Sequence, residues 1–178
     1  MYRQQLMYYN ANKVYRRELI SNLHFNDLTV GQDTIFNYQI FARCQTILFN
    51  SSPYYHYLQR GGSSVNHFDP ERLAIREKET AALIHLLKQW HAGYTDQLLN
   101  AEWFNTLTNI ITNIYAPLPN GETLESLKRL TYLKSYLEYC LPKINLELLN
   151  SVQIKFINQV KQCIQKNDDT ILRTKYSI

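Results

Sequence analysis

Tyr54, Tyr55 and Tyr57 stand almost side by side, with Phe49 a few residues before them. Aromatic faces suit the C–H faces of a pyranose ring, so this cluster could form a sugar-stacking wall. The same residues are good strand formers, and that reading needs no ligand. Arg60 follows directly, in Arg60-Gly61-Gly62-Ser63-Ser64. An arginine beside a glycine pair can close on a phosphate, or the segment is a plain connector. It is no P-loop, because the spaced glycines and the Lys-Ser/Thr are absent. His56 and His67 each could ligate a metal, yet neither has a partner near it in sequence, and a lone histidine is a weak signal. Lys13, Arg16 and Arg17 could meet a phosphate or simply form a solvated face. Asp33, next to Gln32, opens a helical pattern, where an acid complements the helix dipole and caps free N–H groups.

Two zones of sequence must position these residues. In residues 1–67, Asn12 to Ile20 predicts a short helix and Leu28-Thr29-Val30 a short extended piece. Gly31 to about Cys44 predicts a second helix with Ile35, Phe36, Ile40 and Phe41 on one face. Thr46 to Asn50 and Tyr54 to Leu58 read as strands around the turn at Ser51-Ser52-Pro53. Residues 68–178 read as helix after helix. Asp69-Pro70 is an N-cap with proline at the first helical position, and that helix runs to about Trp90. Beyond Gly93, the residues Leu99, Trp103, Leu107, Ile110 and Ile114 form a second stripe. Pro117 to Gly121 breaks the chain, a third helix covers Thr123 to Cys140, and Pro142 ends it. A fourth runs from about Leu146 to Gln165, with Leu149, Val152, Phe156, Val160 and Cys163 on one side. The polar tail from Lys166 is expected to fray. Such stripes are core in the first instance.

Bulk composition narrows the function classes. Of the 178 residues, 45% are hydrophobic and 19% charged, enough apolar content for a real core. A net charge of +4 without any Lys/Arg run argues against a nucleic-acid partner and leaves room for weak attraction to an anionic membrane. Cys44, Cys140 and Cys163 are odd in number and widely spaced, so they read as reduced thiols. No secretory signal opens the chain, and no window reaches the ~18 apolar residues of a membrane span. The expected location is cytoplasmic, with any membrane contact peripheral, at the inner face. The G-x-S-x-G, HExxH and G-x-G-x-x-G patterns are all missing.

Two linked segments carry a resemblance. Asn12-Lys13, Tyr15-Arg16-Arg17-Glu18-Leu19-Ile20, Phe25 and Gly31-Gln32-Asp33-Thr34-Ile35-Phe36-Asn37 are similar to a pattern in bacterial family-2 glycosyltransferases of the GT-A type. Those enzymes often read NKLYRRELI…F…GEDTLFN there. Ile47-Leu48-Phe49-Asn50, Pro53-Tyr54-Tyr55-His56-Tyr57 and Ser63-Ser64 resemble the family's following I…PLYYYR…SIS segment. The likeness covers about residues 10 to 80.

The resemblance implies transfer of a sugar from a nucleotide diphosphate to a saccharide or lipid-linked acceptor, in building surface polysaccharide or lipopolysaccharide. In such enzymes an Asp-x-Asp motif in a Rossmann-like half holds Mg or Mn, which neutralises the leaving group. The aspartate of the "GED" segment typically takes the acceptor's proton. Asp33 falls on that aspartate, and Gln32 falls where glutamate is usual. Gln32, Tyr54, Tyr55, Tyr57 and Arg60 would line the acceptor side. No Asp-x-Asp occurs in this chain, so a cation would come with a separate donor-binding domain or polypeptide. The expected fold is α+β, mostly α: residues 1–67 as the acceptor-side remnant of a GT-A α/β domain, then residues 68–178 as a bundle of about four helices. The chain reads as a truncated, split or degenerate enzyme, inactive alone. The rival reading is a non-catalytic helical interaction protein.

Overall fold

The computed structural model describes residues 7–50, 66–91, 93 and 95–176. They are mostly helical, with seven α-helices and no strand among the described residues. The helices are α1 (Arg17–Ile20), α2 (Gln32–Arg43), α3 (Arg72–Gln89), α4 (Thr95–Ile114), α5 (Ser126–Cys140), α6 (Ser151–Lys166) and α7 (Thr170–Tyr176). The chain divides into two compact units. The first is Met1–Ser64 with Ala74–Gly93, and the second is Val65–Leu73 with Tyr94–Ile178. Most of α3 groups with the N-terminal segment.

In the first unit, α2 starts as expected, at Gly31 in the left-handed conformation (φ 81°), and stops at the extended Cys44. Ile35, Phe36, Ile40 and Phe41 are buried, as the pattern indicates, but so are Thr34, Asn37 and Tyr38. Side chains from α3 supply part of the cover: Ile75, Leu83, Leu86 and Leu87 are buried at helical spacing. Gly31 lies against Ile75 and Glu79, while Trp90 Nε1 donates to the Phe41 carbonyl at 3.1 Å. Contact at both ends sets the two helices side by side, running the same way. Phe25 stacks on Phe36 with ring centroids 4.3 Å apart.

Two expectations fail here. The helix expected over Asn12 to Ile20 is only Arg17–Ile20. Lys13 N–H instead closes a turn onto the Asn10 carbonyl at 3.0 Å, and Arg16 is extended. Thr46 to Asn50, expected as a strand, carries none, and Leu48 is 91% exposed. A β-branched run becomes a strand only when a neighbour supplies the ladder, and no strand exists among the described residues to do so. The second expected strand, Tyr54 to Leu58, lies outside the described residues.

The second unit has the larger core. Leu107, Ile110, Ile111 and Ile114 of α4 pack with Leu133 and Cys140 of α5 and with Val160 and Cys163 of α6. Pro117 to Gly121 turns the chain, with Gly121 at φ 85° and Leu118 N–H bonded to the Glu122 carbonyl at 2.7 Å. After α5, Pro142 sits in a 3-10 turn, Leu141–Lys143. A second 3-10 turn covers Leu146–Leu148, so the last long helix begins at Ser151, not Leu146. A capping box fixes that start: Asn150 accepts from Gln153 N–H, and the Gln153 side chain accepts from Asn150 N–H. Val152, expected in the buried stripe, is 74% exposed. Phe156, one turn further on, is buried, with Lys175 of α7 lying 4.4 Å over its ring.

The tail expected to fray is ordered instead. Asn167 takes the left-handed conformation that ends α6, and Asp168 caps α7 by accepting from Thr170 N–H at 2.9 Å. Leu172 is wholly buried. That burial is worth about 1.5–3 kcal/mol and holds a seven-residue helix that would not persist alone. Among the described residues no helix is long and apolar enough to cross a membrane.

Candidate functional site

Asp33 occupies the first turn of α2, and its partner is a residue that sequence reasoning passed over. Asn10 binds it twice: backbone N–H to Oδ2 at 3.4 Å and Nδ2 to Oδ1 at 3.2 Å. Both bonds are long, and the carboxylate is half-buried. Behind Asn10 stands Tyr15, whose hydroxyl donates to Asn37 Oδ1 and lies 3.2 Å from Asn10 Oδ1. A tyrosine has one hydrogen for those two oxygens. Asn37 is wholly buried, and its Nδ2 has no hydrogen-bond partner. Turning the Asn37 amide end for end gives Tyr15 a donor and frees its hydrogen for Asn10. The chain Asn37, Tyr15, Asn10, Asp33 then uses each donor once and aims an N–H at the carboxylate.

Lys13 completes the cluster. It bonds to the Tyr9 carbonyl and, at 2.8 Å, to Asn12 Oδ1. Burial brings its ammonium down to about 8, against the pull of the Asp33 charge, which raises it. Burial pushes the Tyr15 hydroxyl up, and the charges of Asp33 and Cys44 push the same way. Gly31, the left-handed residue that opens α2, precedes Gln32 and Asp33. Its backbone passes so close to Glu79 that a Cβ would collide with the Glu79 carboxylate. Glu79 is buried and pairs with Arg76 at 2.5 Å.

The other expected site residues are distributed unevenly. Gln32 is the first residue of α2, next to Asp33. Tyr54, Tyr55, Tyr57 and Arg60 lie outside the described residues, as does His56. Arg16 and Arg17 are exposed. His67 is part-buried, and its carbonyl accepts from Asn113 Nδ2 at 3.0 Å. No group of three or more His, Cys, Asp or Glu among the described residues could hold a metal ion. A shallow open groove of about 510 Å³ lies along the other end of α2, lined by His24, Gln39, Arg43, His85 and Gln89 among others. It includes none of the residues above.

The second unit holds a contrasting cluster around Asp169, at the start of α7. Asp169 Oδ2 accepts from Arg129 Nε at 2.5 Å, and Oδ1 accepts from Ser126 Oγ at 2.7 Å. Arg129 also donates to the Leu124 carbonyl and lies 5.6 Å from the Tyr115 ring centroid. Both charged groups are almost fully buried. Burial pushes the Asp169 carboxyl up, but the bonds from Arg129 and Ser126 and the charges of Arg129 and Arg173 outweigh it, and the group ends below the usual carboxylate value. These bonds tie the start of α7 to α5.

Compared with protein-family models, curated proteins and solved structures, the chain gave no match.

Proposed function

We propose that this chain is the acceptor-side part of a family-2 glycosyltransferase of GT-A type, in which Asp33 takes the proton from the attacking hydroxyl. One observation carries the reading. Residues from both pieces of the first resembling segment, some twenty positions apart, come together around Asp33: Tyr15 of one piece bonds to Asn37 of the other, and the Asp33 charge acts on both Tyr15 and Lys13. A carboxylate held by weak amide bonds and left half-exposed has spare lone pairs, which a proton acceptor needs. Lys13 beside it would offer a cation to a phosphate on a lipid-linked acceptor. Gln32, and the tyrosines and Arg60 beyond, would contribute to the acceptor wall. In this reading the N-terminal unit is a remnant of an α/β domain, and a separate polypeptide or domain brings the Asp-x-Asp, the cation and the sugar nucleotide.

The test is reconstitution. The chain is combined with a donor-binding half from its native cells, and transfer from a nucleotide-diphosphate sugar is followed. Asp33→Asn should lower kcat by roughly 10²–10⁴ while leaving the fold intact. Full activity in that variant rules out the base assignment. If no donor-binding partner can be found and the chain is stable alone, the non-catalytic interaction protein becomes the better account.

A further inference from the structure

The positive charge of this protein is not spread along it. Residues 126–178 carry nine Lys and Arg against four Asp and Glu, while residues 1–125 carry ten against eleven. The net +4 therefore belongs wholly to the C-terminal third. Within that third, Arg129 and Asp169 are buried against each other and cancel.

Helices α6 and α7 concentrate what remains. Together they hold Lys155, Lys161, Lys166, Arg173 and Lys175, and neither contains an acidic residue. Asp168 is the one exposed acid between them, and it is engaged in capping α7. The two helices lie antiparallel. Asp168 N–H bonds to the Cys163 carbonyl at 3.0 Å where the chain reverses, and Lys175 returns to lie over Phe156. The outer side of α6 presents Ile154, Lys155, Asn158 and Gln162 along one shallow face. Ile154 and Ile171 are exposed among these cations, and Val152, at the N-terminal end of α6, is 74% exposed.

We propose that the outer surface of α6 and α7 docks onto an anionic lipid bilayer. Lysines and arginines without acids are attracted by a negative leaflet, and interspersed aliphatic side chains sink between headgroups. A nucleic acid would reward the same charge, but it gives no return for exposed valine and isoleucine, and no aromatic side chain is exposed on this face for stacking. The inference does not depend on the glycosyl-transfer reading: Asp33 lies in the other unit.

The experiment is co-sedimentation of the full chain with sucrose-loaded vesicles of phosphatidylcholine, alone or with about one-third phosphatidylglycerol. Binding is expected to the anionic vesicles at low salt, to fall at high salt, and to be absent on phosphatidylcholine. Each cation near the surface is worth about fivefold in partition, so Lys155→Glu with Lys166→Glu, a change of four charges, should weaken binding by a factor of several hundred, roughly. Lys78→Glu with Lys88→Glu alters net charge equally from the other unit and should cost far less. Val152→Asp should weaken binding more than the single Lys78→Glu change. Circular dichroism checks that each variant is folded. Equal losses from the two double variants would mean that only overall charge matters, and the docking face is then wrong. No binding to anionic vesicles, or duplex DNA bound at salt that releases the vesicles, overturns the proposal as well.

Discussion

Asp169 and Asp33 are both carboxylates at the start of a helix, and the protein treats them differently. Asp169 is sealed, with Arg129 and Ser126 donating at 2.5 and 2.7 Å and no solvent. Among the described residues Asp33 is held by one asparagine, through longer bonds of 3.2 and 3.4 Å, and it is only part-buried. A fully satisfied, buried carboxylate can only stabilise. A loosely held one beside a half-buried lysine has capacity left for a ligand. The difference separates a structural cluster from a candidate chemical one without reference to any motif.

Removing the Asp169 charge should have the largest effect on stability. Asp169→Asn leaves Arg129 buried without a counter-ion, at a cost of about 3–5 kcal/mol. The two tryptophans provide a readout, since Trp90 belongs to the first unit and Trp103 to the second. In a Trp90→Phe background, urea unfolding followed by Trp103 should shift strongly. The pH dependence has a defined sign. The folded-state value of Asp169 is depressed, so its contribution is complete above the unfolded carboxylate value and is lost as pH falls through the folded one. The variant should lack that acid loss. If Asp33→Asn destabilised the protein as much as Asp169→Asn, the contrast between the clusters would collapse.

Gly31→Ala should come next, at about 1–3 kcal/mol. A Cβ at φ 81° is strained, and it would strike Glu79 and press on Ile75 Cγ2 at 3.2 Å. Glu79 cannot easily withdraw, because it is buried and paired to Arg76. The loss should appear in Trp90 fluorescence in a Trp103→Phe background and leave the second unit unchanged. A shift of both transitions together would show that the two units unfold as one.

Much of the helical architecture was legible in the sequence because it depends on local signals. Gly31 and Cys44 bound α2, Asp69 and Pro70 precede α3, and the proline-glycine break from Pro117 to Gly121 divides α4 from α5. What was illegible depends on distant partners. Thr46 to Asn50 has strand chemistry but no ladder to join among the described residues. Asp169 looks like one more acid in a polar tail, and only Arg129, forty residues earlier, makes it a core residue. The candidate site divides in the same way. Asp33 and Lys13 lie in segments that drew notice as sequence. Asn10 carries no sequence signal at all, because its role comes from where the chain returns to α2, and Tyr15 and Asn37 gain theirs from the same return.

The smallest effect concerns Lys13, and it bears on whether the Asp33 cluster is under electrostatic tension. Lys13 titrates near 8 in the folded protein and at its ordinary 10.5 when unfolded. Between those values the unfolded chain binds more protons, so the first unit should gain stability as pH rises through that window. Lys13→Met should remove the gain, since it has no proton to lose, and Trp90 fluorescence at pH values on either side of 8 would record it. A flat profile in the wild type would mean that Asp33 compensates the lysine fully and that the pair is as settled as Arg129 and Asp169. A rise that vanishes in Lys13→Met would mean that the folded protein carries an under-compensated cation next to a weakly held carboxylate. Folding alone gains nothing from such a cation, whereas a phosphate-bearing acceptor would.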